Sequence, residues 1–196
     1  MKKLLFTLLF LILGTAWGGA FEDGYAAVNR EDYATALRLW RPLAEQGYPN
    51  VQFNLGIMYA KGHGVTQDYR ESLKWYRLAA EQGHASSQTN LGIMYDVGQG
   101  VLQDYREAFK WYRLAAEQGD AGAQSNLGGL YRNGHGVLQD YVHAHMWYNL
   151  ASAAGGRYYG TDISNRDFVA TKMTPQQIEK AQEMAKACQA RNFKGC

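Results

Sequence analysis

The stretch 88–119, QTNLGIMYDVGQGVLQDYREAFKWYRLAAEQG, recurs almost letter for letter at 52–83, and its key residues return at 124–155. The offset is 36 residues each time. Within it Gln88-Thr-Asn-Leu-Gly-Ile-Met-Tyr95 repeats Gln52 to Tyr59 and returns as Gln124 to Tyr131. The turns 62–65, 98–101 and 134–137 share Gly-x-Gly-Val. Asp-Tyr follows at 68–69, 104–105 and 140–141, then Trp-Tyr at 75–76, 111–112 and 147–148. Internal periodicity of this length is the signature of a repeat architecture. An earlier, degenerate copy runs from Asp32 to Gly47, with Leu39 in the tryptophan slot. Ten of the 14 tyrosines fall on repeat positions, so the tyrosine excess belongs to the repeat.

Each unit reads as two helices. Val51, Leu55 and Tyr59 recur at i, i+4, i+8, which is one helical face. Gly62, Gly98 and Gly134 are natural helix ends. The second helix starts at Asp68 or Asp104, with Glu71 or Glu107 three residues on, a capping-box spacing. In the third unit Asp140 keeps the cap and His143 replaces the glutamate. Leu73, Trp75, Tyr76, Leu78 and Ala79 then give a broad apolar face. One such pair cannot bury its own face, whereas stacked pairs can. The expected fold is all-α, a right-handed α/α solenoid of helix-pair repeats.

The pattern A-x-x-x-L-G-x-x-Y-x-x-G-x-G-V-x-x-D-x-x-x-A-x-x-W-x-x-x-A-A-x-x-G resembles the Sel-1-like repeat, a relative of the tetratricopeptide repeat. It is matched best at 87–119 and 123–155; the 51–83 copy departs only at Val51 and Ser72. The resemblance implies a repeat array over 21–155, with a first unit at 21–47 and full units at about 48–83, 84–119 and 120–155. It also implies a capping helix after the array, and Met173 to Gln182 fits: Thr174 as N-cap, Pro175 at N1, Gln177 at N3. Between array and cap, Gly155 to Gly160 reads as an inserted loop before a final helix over 161–172, with Tyr158 and Tyr159 folded back onto the last repeat. The carboxyl-terminal region is thus 156–196.

The amino end has the form of a leader. Lys2 and Lys3 precede ten apolar residues, Leu4 to Leu13, and small residues up to Ala20 provide a cleavage point. The expectation is a signal peptide over 1–20 and an exported chain with no membrane attachment after cleavage. With the resemblance, this points to a Gram-negative periplasm or to the cell surface and beyond. Cys188 and Cys196 are the only cysteines, and an even count in an exported chain reads as one disulfide. Lys+Arg total 20 against 18 Asp+Glu, and loss of Lys2 and Lys3 leaves 18 of each. A balanced chain lacks the basic footprint of a nucleic-acid binder.

The chain carries no H-E-x-x-H, G-x-S-x-G or Walker-type loop. It also lacks the S-x-x-K and K-T-G elements and the paired cysteines of the β-lactam-processing members of the family. No enzyme activity, cofactor or metal is expected. His63 and His135 read as turn residues; His143 and His145 lie some 200° apart on one helix and read as surface residues.

The remaining candidates lie on the surface. On the first helix of each unit, 53, 54, 57 and 60 point away from the core. In similar solenoids that helix lines a concave groove. The resemblance therefore gives Phe53, Asn54, Ile57, Asn90, Ile93, Asp96, Asn126 and Arg132 as candidate binding residues. Asparagine offers both donor and acceptor, and a ladder of three suits the backbone of an extended peptide. The expected function is a monomeric, non-enzymatic scaffold for a protein or peptide. The alternative is a peptidoglycan-associated accessory protein.

If Trp111 is the buried keystone of its repeat, Trp111→Ala costs about 3–5 kcal/mol. A thermal melt unmoved by the substitution would refute that register.

Overall fold

The aspartates that open the second helices fix where each repeat folds. Asp68 Oδ1 accepts from the amides of Arg70 (2.8 Å) and Glu71 (3.1 Å). Asp104 does the same for Arg106 and Glu107, and Asp140 for Val142 and His143. Such caps contribute about 1 kcal/mol each. Glu71 and Glu107, expected to complete capping boxes, reach forward instead, to Lys74 and Lys110. His143 takes the third copy's role differently: Nδ1 lies 2.7 Å from Asp140 Oδ2, and its ring stacks on Tyr131 at 5.0 Å.

The computed structural model describes residues 19–154 and 159–196. The expected leader lies outside them except for residues 19 and 20, and so does the expected 156–160 loop up to residue 158. Among the described residues every regular element is a helix. They divide into two units, Met1–Gln82 and Gly83–Cys196.

In the first unit, helix α1 covers residues 19–29. It is followed by α2 (Tyr33–Glu45), α3 (Pro49–Lys61) and α4 (Tyr69–Glu81). The core gathers Ala27, Ala36, Trp40, Leu43, Val51, Leu55, Met58 and Trp75. Gly62 ends α3 in the left-handed conformation, φ 70°, as the sequence requires. Gly56 lies under Tyr76: a Cβ there would sit 2.5 Å from the ring. Ser72, fully buried, donates to the Gly56 carbonyl at 2.8 Å. Gly24 meets Trp40 in the same way, so α1 and α2 are a helix pair too. Its connection is four residues shorter than the others, since Gly24 and Trp40 are 16 apart where Gly56 and Tyr76 are 20.

In the second unit α5 (Ala85–Val97) pairs with α6 (Tyr105–Ala116), and α7 (Ala121–Asn133) with α8 (Tyr141–Ala153). Gly92 lies under Tyr112 and Gly128 under Tyr148. Glutamines tie one pair to the next and the helices within a pair. Gln124 Nε2 donates to the Ala116 carbonyl (3.3 Å), and Gln118 Nε2 to Gln88 Oε1 (2.8 Å). The first unit repeats this with Gln52 on Ala44 and Gln82 on Gln52. Trp111 is 8% exposed and donates to Glu107 at 3.1 Å.

Helix α9 (Tyr159–Ala170) begins two residues earlier than expected and packs on α8. Helix α10 (Pro175–Ala190) comes next, opened by a full capping box between Thr174 and Gln177. Its Ala181, Ala185 and Cys188 form a buried stripe, and the helix packs against α8. Cys188 and Cys196 are joined as a disulfide, which turns the tail so that the Phe193 ring meets Gly119. This second layer buries His145, which the helix wheel alone left on the surface: it is 3% exposed and its Nδ1 has no partner.

Gly128→Ala should cost about 1–3 kcal/mol by overpacking, although alanine in an uncrowded helix gains up to about 1 kcal/mol over glycine. Its neighbour Gly129, where a Cβ would meet only Tyr148 Oη at 3.7 Å, should show that gain. Urea melts of the two variants give opposite signs if the glycine–tyrosine contact sets the helix spacing.

Candidate functional site

The candidate residues occupy the outer faces of the first helices, and the structure treats the copies differently. In the first unit Asn54 is 9% exposed, and its Nδ2 donates to Tyr25 Oη at 3.1 Å. The position expected on an open face is thus closed by α1, the pair that a strict 36-residue offset does not reveal. Phe53 and Ile57 stay half-buried, with Phe53 5.9 Å from the Tyr76 ring.

In the second unit Asn90, Ile93 and Asp96 lie on α5, and Asn126 and Arg132 on α7, all half-buried. Asp96 accepts from the Tyr112 hydroxyl at 3.2 Å. Burial pushes its carboxyl above the ordinary value, and the Tyr112 hydrogen bond opposes that. Arg132 Nη1 donates to Asn165 of α9 at 2.8 Å. Ser125, also on α7, donates to Asp162 of α9. Helix α9 therefore fastens onto the α7 face at two points.

Beside this crossing the face stays open. A cavity of about 370 Å³ is lined by Ser86, Thr89 and Asn90 of α5, by Asp120, Ala121 and Gly122 at the start of α7, and by Asp162. Asp120 caps α7 through Oδ1, on the Ala123 amide. Asp162 is 1% exposed, and burial pushes its carboxyl up while the Ser125 hydrogen bond pulls it down. Of the candidate residues only Asn90 lines this cavity. Asp162 continues the series Asn54, Asn90 and Asn126 at the same 36-residue offset, with a carboxylate in place of the amide; a frame closed at residue 155 leaves it out. At the opposite end of α5 and α7, Leu102 and Leu138 occupy one repeat position and are each 89% exposed.

Among the described residues no group of three or more His, Cys, Asp or Glu could hold a metal. No helix there is long and apolar enough to cross a membrane.

The profile of the family described as Sel1 repeat matches residues 15–48, 49–84, 85–120 and 121–156. Two solved structures are similar. One is c5321, described as a protective antigen present in uropathogenic Escherichia coli strains and displaying an SLR fold. It is 40% identical with a TM-score of 0.70, over 73% of this chain and 32% of that one. The chain thus spans about a third of that protein's length. The other is a Sel1 repeat protein from Oxalobacter formigenes, 30% identical with a TM-score of 0.64, over 88% of this chain and 78% of that one. No curated protein matches. The fold class is all-α, with helix-pair repeats of about 36 residues as in the Sel1 solenoids. Sel1 repeat proteins typically mediate protein–protein interaction and are generally non-catalytic.

Asp162 supplies a pH test. A carboxyl raised above 3.8 on folding favours the native state below that value, and the benefit is lost as pH rises through the folded pKa. Asp162→Asn keeps an acceptor for Ser125 and removes the buried charge. It should therefore unfold at higher urea than wild type at pH 7, with the advantage gone by pH 3.

Proposed function

The chain belongs to the Sel1 repeat family, and from that membership we propose that it is an exported interaction module, a non-enzymatic adaptor that holds a protein or peptide on the first-helix face of its second unit. The observation that carries this reading is the division of the repeats into a closed and an open side. Trp111, Tyr112, Trp147 and Tyr148 are sealed between helices. Asn90 and its neighbours, by contrast, line a polar recess beside an exposed helix face. Polar, partly wet recesses with few directional groups suit recognition of a peptide backbone and its side chains.

Export rests on the leader-like sequence of residues 1–20 and on the Cys188–Cys196 bond, since disulfides persist in oxidising compartments. The periplasm of a Gram-negative cell satisfies both. A role in envelope processes or host contact would fit that location.

Osmotic-shock fractionation should release the protein with the periplasmic contents; retention in the cytosol would refute export. Cross-linking in the released fraction should then capture a partner. Asn90→Arg combined with Asn126→Arg, in a variant that still melts cooperatively, should reduce that capture at least tenfold. Asn54 is left intact because its amide holds Tyr25. Equal capture by both proteins would remove this face from the reading.

A further inference from the structure

At the cavity at the start of α5 and α7 stands a carboxylate with no ion-pair partner among the described residues. Asp162 is 1% exposed, yet it comes from α9 to form part of the cavity wall. Its Oδ1 is taken by the Ser125 hydroxyl. Its Oδ2 has no hydrogen-bond partner among the described residues, and Asp162 belongs to none of the ion pairs there. A buried acid is ordinarily paired, because an unpaired one carries the full desolvation penalty of its charge. An oxygen with no partner among the described residues, on a cavity wall, is a place for a guest to bind.

The other walls say which guest. Asp120 uses Oδ1 for the Ala123 amide, which leaves Oδ2 as an acceptor. Asn90 adds an amide oxygen, and Thr89, whose hydroxyl proton goes to the Ala85 carbonyl, offers only lone pairs. The recess is therefore rich in acceptors. Two features oppose a cation: the amino end of α7 and that of α9, in whose first turn Asp162 stands, each bring about half a positive charge. Together they offset one of the two carboxylates, Asp120 and Asp162, and a net negative charge remains. Several acceptors round a net negative recess match a planar donor with several N–H groups better than a point charge.

We propose that this cavity receives an arginine side chain of the peptide or protein partner. The proposal rests on the reading of the chain as an interaction module and adds the chemistry of what it grips. The guanidinium pairs with Asp162 Oδ2 as a charge-assisted hydrogen bond and reaches Asn90 and Asp120 with its remaining donors. The site is particular to this end of the array: along the series 54, 90, 126 and 162, spaced by 36 residues, only position 162 carries a carboxylate in place of asparagine.

The probe is the blocked tripeptide acetyl-Gly-Arg-Gly-amide, with its citrulline counterpart as the neutral isostere. Both are titrated into the isotope-labelled protein, purified from cells expressing the full-length gene, and monitored by amide chemical shifts. The arginine peptide should give saturable shifts at residues 86–90, 120–122 and 161–163. The citrulline peptide should bind at least tenfold more weakly. Asp162→Asn should weaken arginine binding at least tenfold, while Ser125→Ala stays within threefold of wild type. Wild type alone supplies a test that needs no variant: binding should weaken as pH falls through the titration of Asp162. Absence of saturable shifts, equal binding of citrulline, or an affinity that does not fall as pH drops through the titration of Asp162 would each overturn the proposal. A partner captured equally by wild type and Asp162→Asn would overturn it too, with the adaptor reading intact. Saturable arginine binding with no captured partner would do the reverse.

Discussion

Tyr76, Tyr112 and Tyr148 lie flat over Gly56, Gly92 and Gly128, so close that one added carbon would stand 2.5, 2.6 and 2.8 Å from ring atoms. Nothing larger than hydrogen fits between ring and backbone, and this contact sets how near the two helices of each pair approach. The rest of the pair depends on it. The residue one turn before each tyrosine must be small, and Ser72, Ala108 and Ala144 are all fully buried. Ser72 adds a hydrogen bond to the Gly56 carbonyl where its counterparts have only a methyl group. With the aromatic face turned inward, the polar residues at 54, 90 and 126 are left to the other side of the first helix. The contact that makes the pair thus also determines which face can meet a partner.

The local chemistry of this arrangement is legible in the sequence. Glycines at 62, 98 and 134 take the left-handed conformation that ends the first helices, aspartates cap the second ones, and Thr174 with Gln177 opens α10. These are interactions between residues a few positions apart, and a single chain displays them. Less legible is anything that depends on the neighbour across the face. Asn54 and Asn90 hold the same place in the repeat. One is buried against Tyr25 and the other lines a cavity, because α1 covers the first and nothing in the second unit covers the second. The first pair escaped the fixed offset because its connection lacks four residues, although Gly24 and Trp40 preserve the contact. His145 is buried by a layer, α9 and α10, whose docking no periodicity announces.

The glutamines show how each pair is tied internally and where that tie is lost. Each copy has a glutamine at its first helix, Gln52, Gln88 and Gln124. In the first two copies a second glutamine thirty residues on, Gln82 or Gln118, donates to it. In the third copy that later position is Ala154, and Gln124 Oε1 is left buried without a partner. The third pair therefore lacks the glutamine bond that ties the first two internally. The carboxyl-terminal helices α9 and α10 pack on α8. The stripe of Ala181, Ala185 and Cys188 does so from α10, with the disulfide holding the turn beyond it.

The most distinctive chemistry lies where the repeat degenerates. Positions that recur every 36 residues must serve the stacking of every copy, so most of their polar groups are bound to neighbouring helices. Helix α9 keeps the 36-residue offset, with Asp162 in the place of Asn126, but has lost the Leu-Gly and Tyr of the consensus. Its Asp162 and Asn165 instead reach across to Ser125 and Arg132 of α7, on the face that the repeats themselves leave polar. A buried carboxylate placed there disfavours the folded state at neutral pH. The packing of α9 would be served better by a neutral group at position 162, since Asn would satisfy Ser125 equally well. A charge held there at an energetic disadvantage, at once in the α7–α9 contact and on a cavity wall, is the charge that the proposed arginine would neutralise.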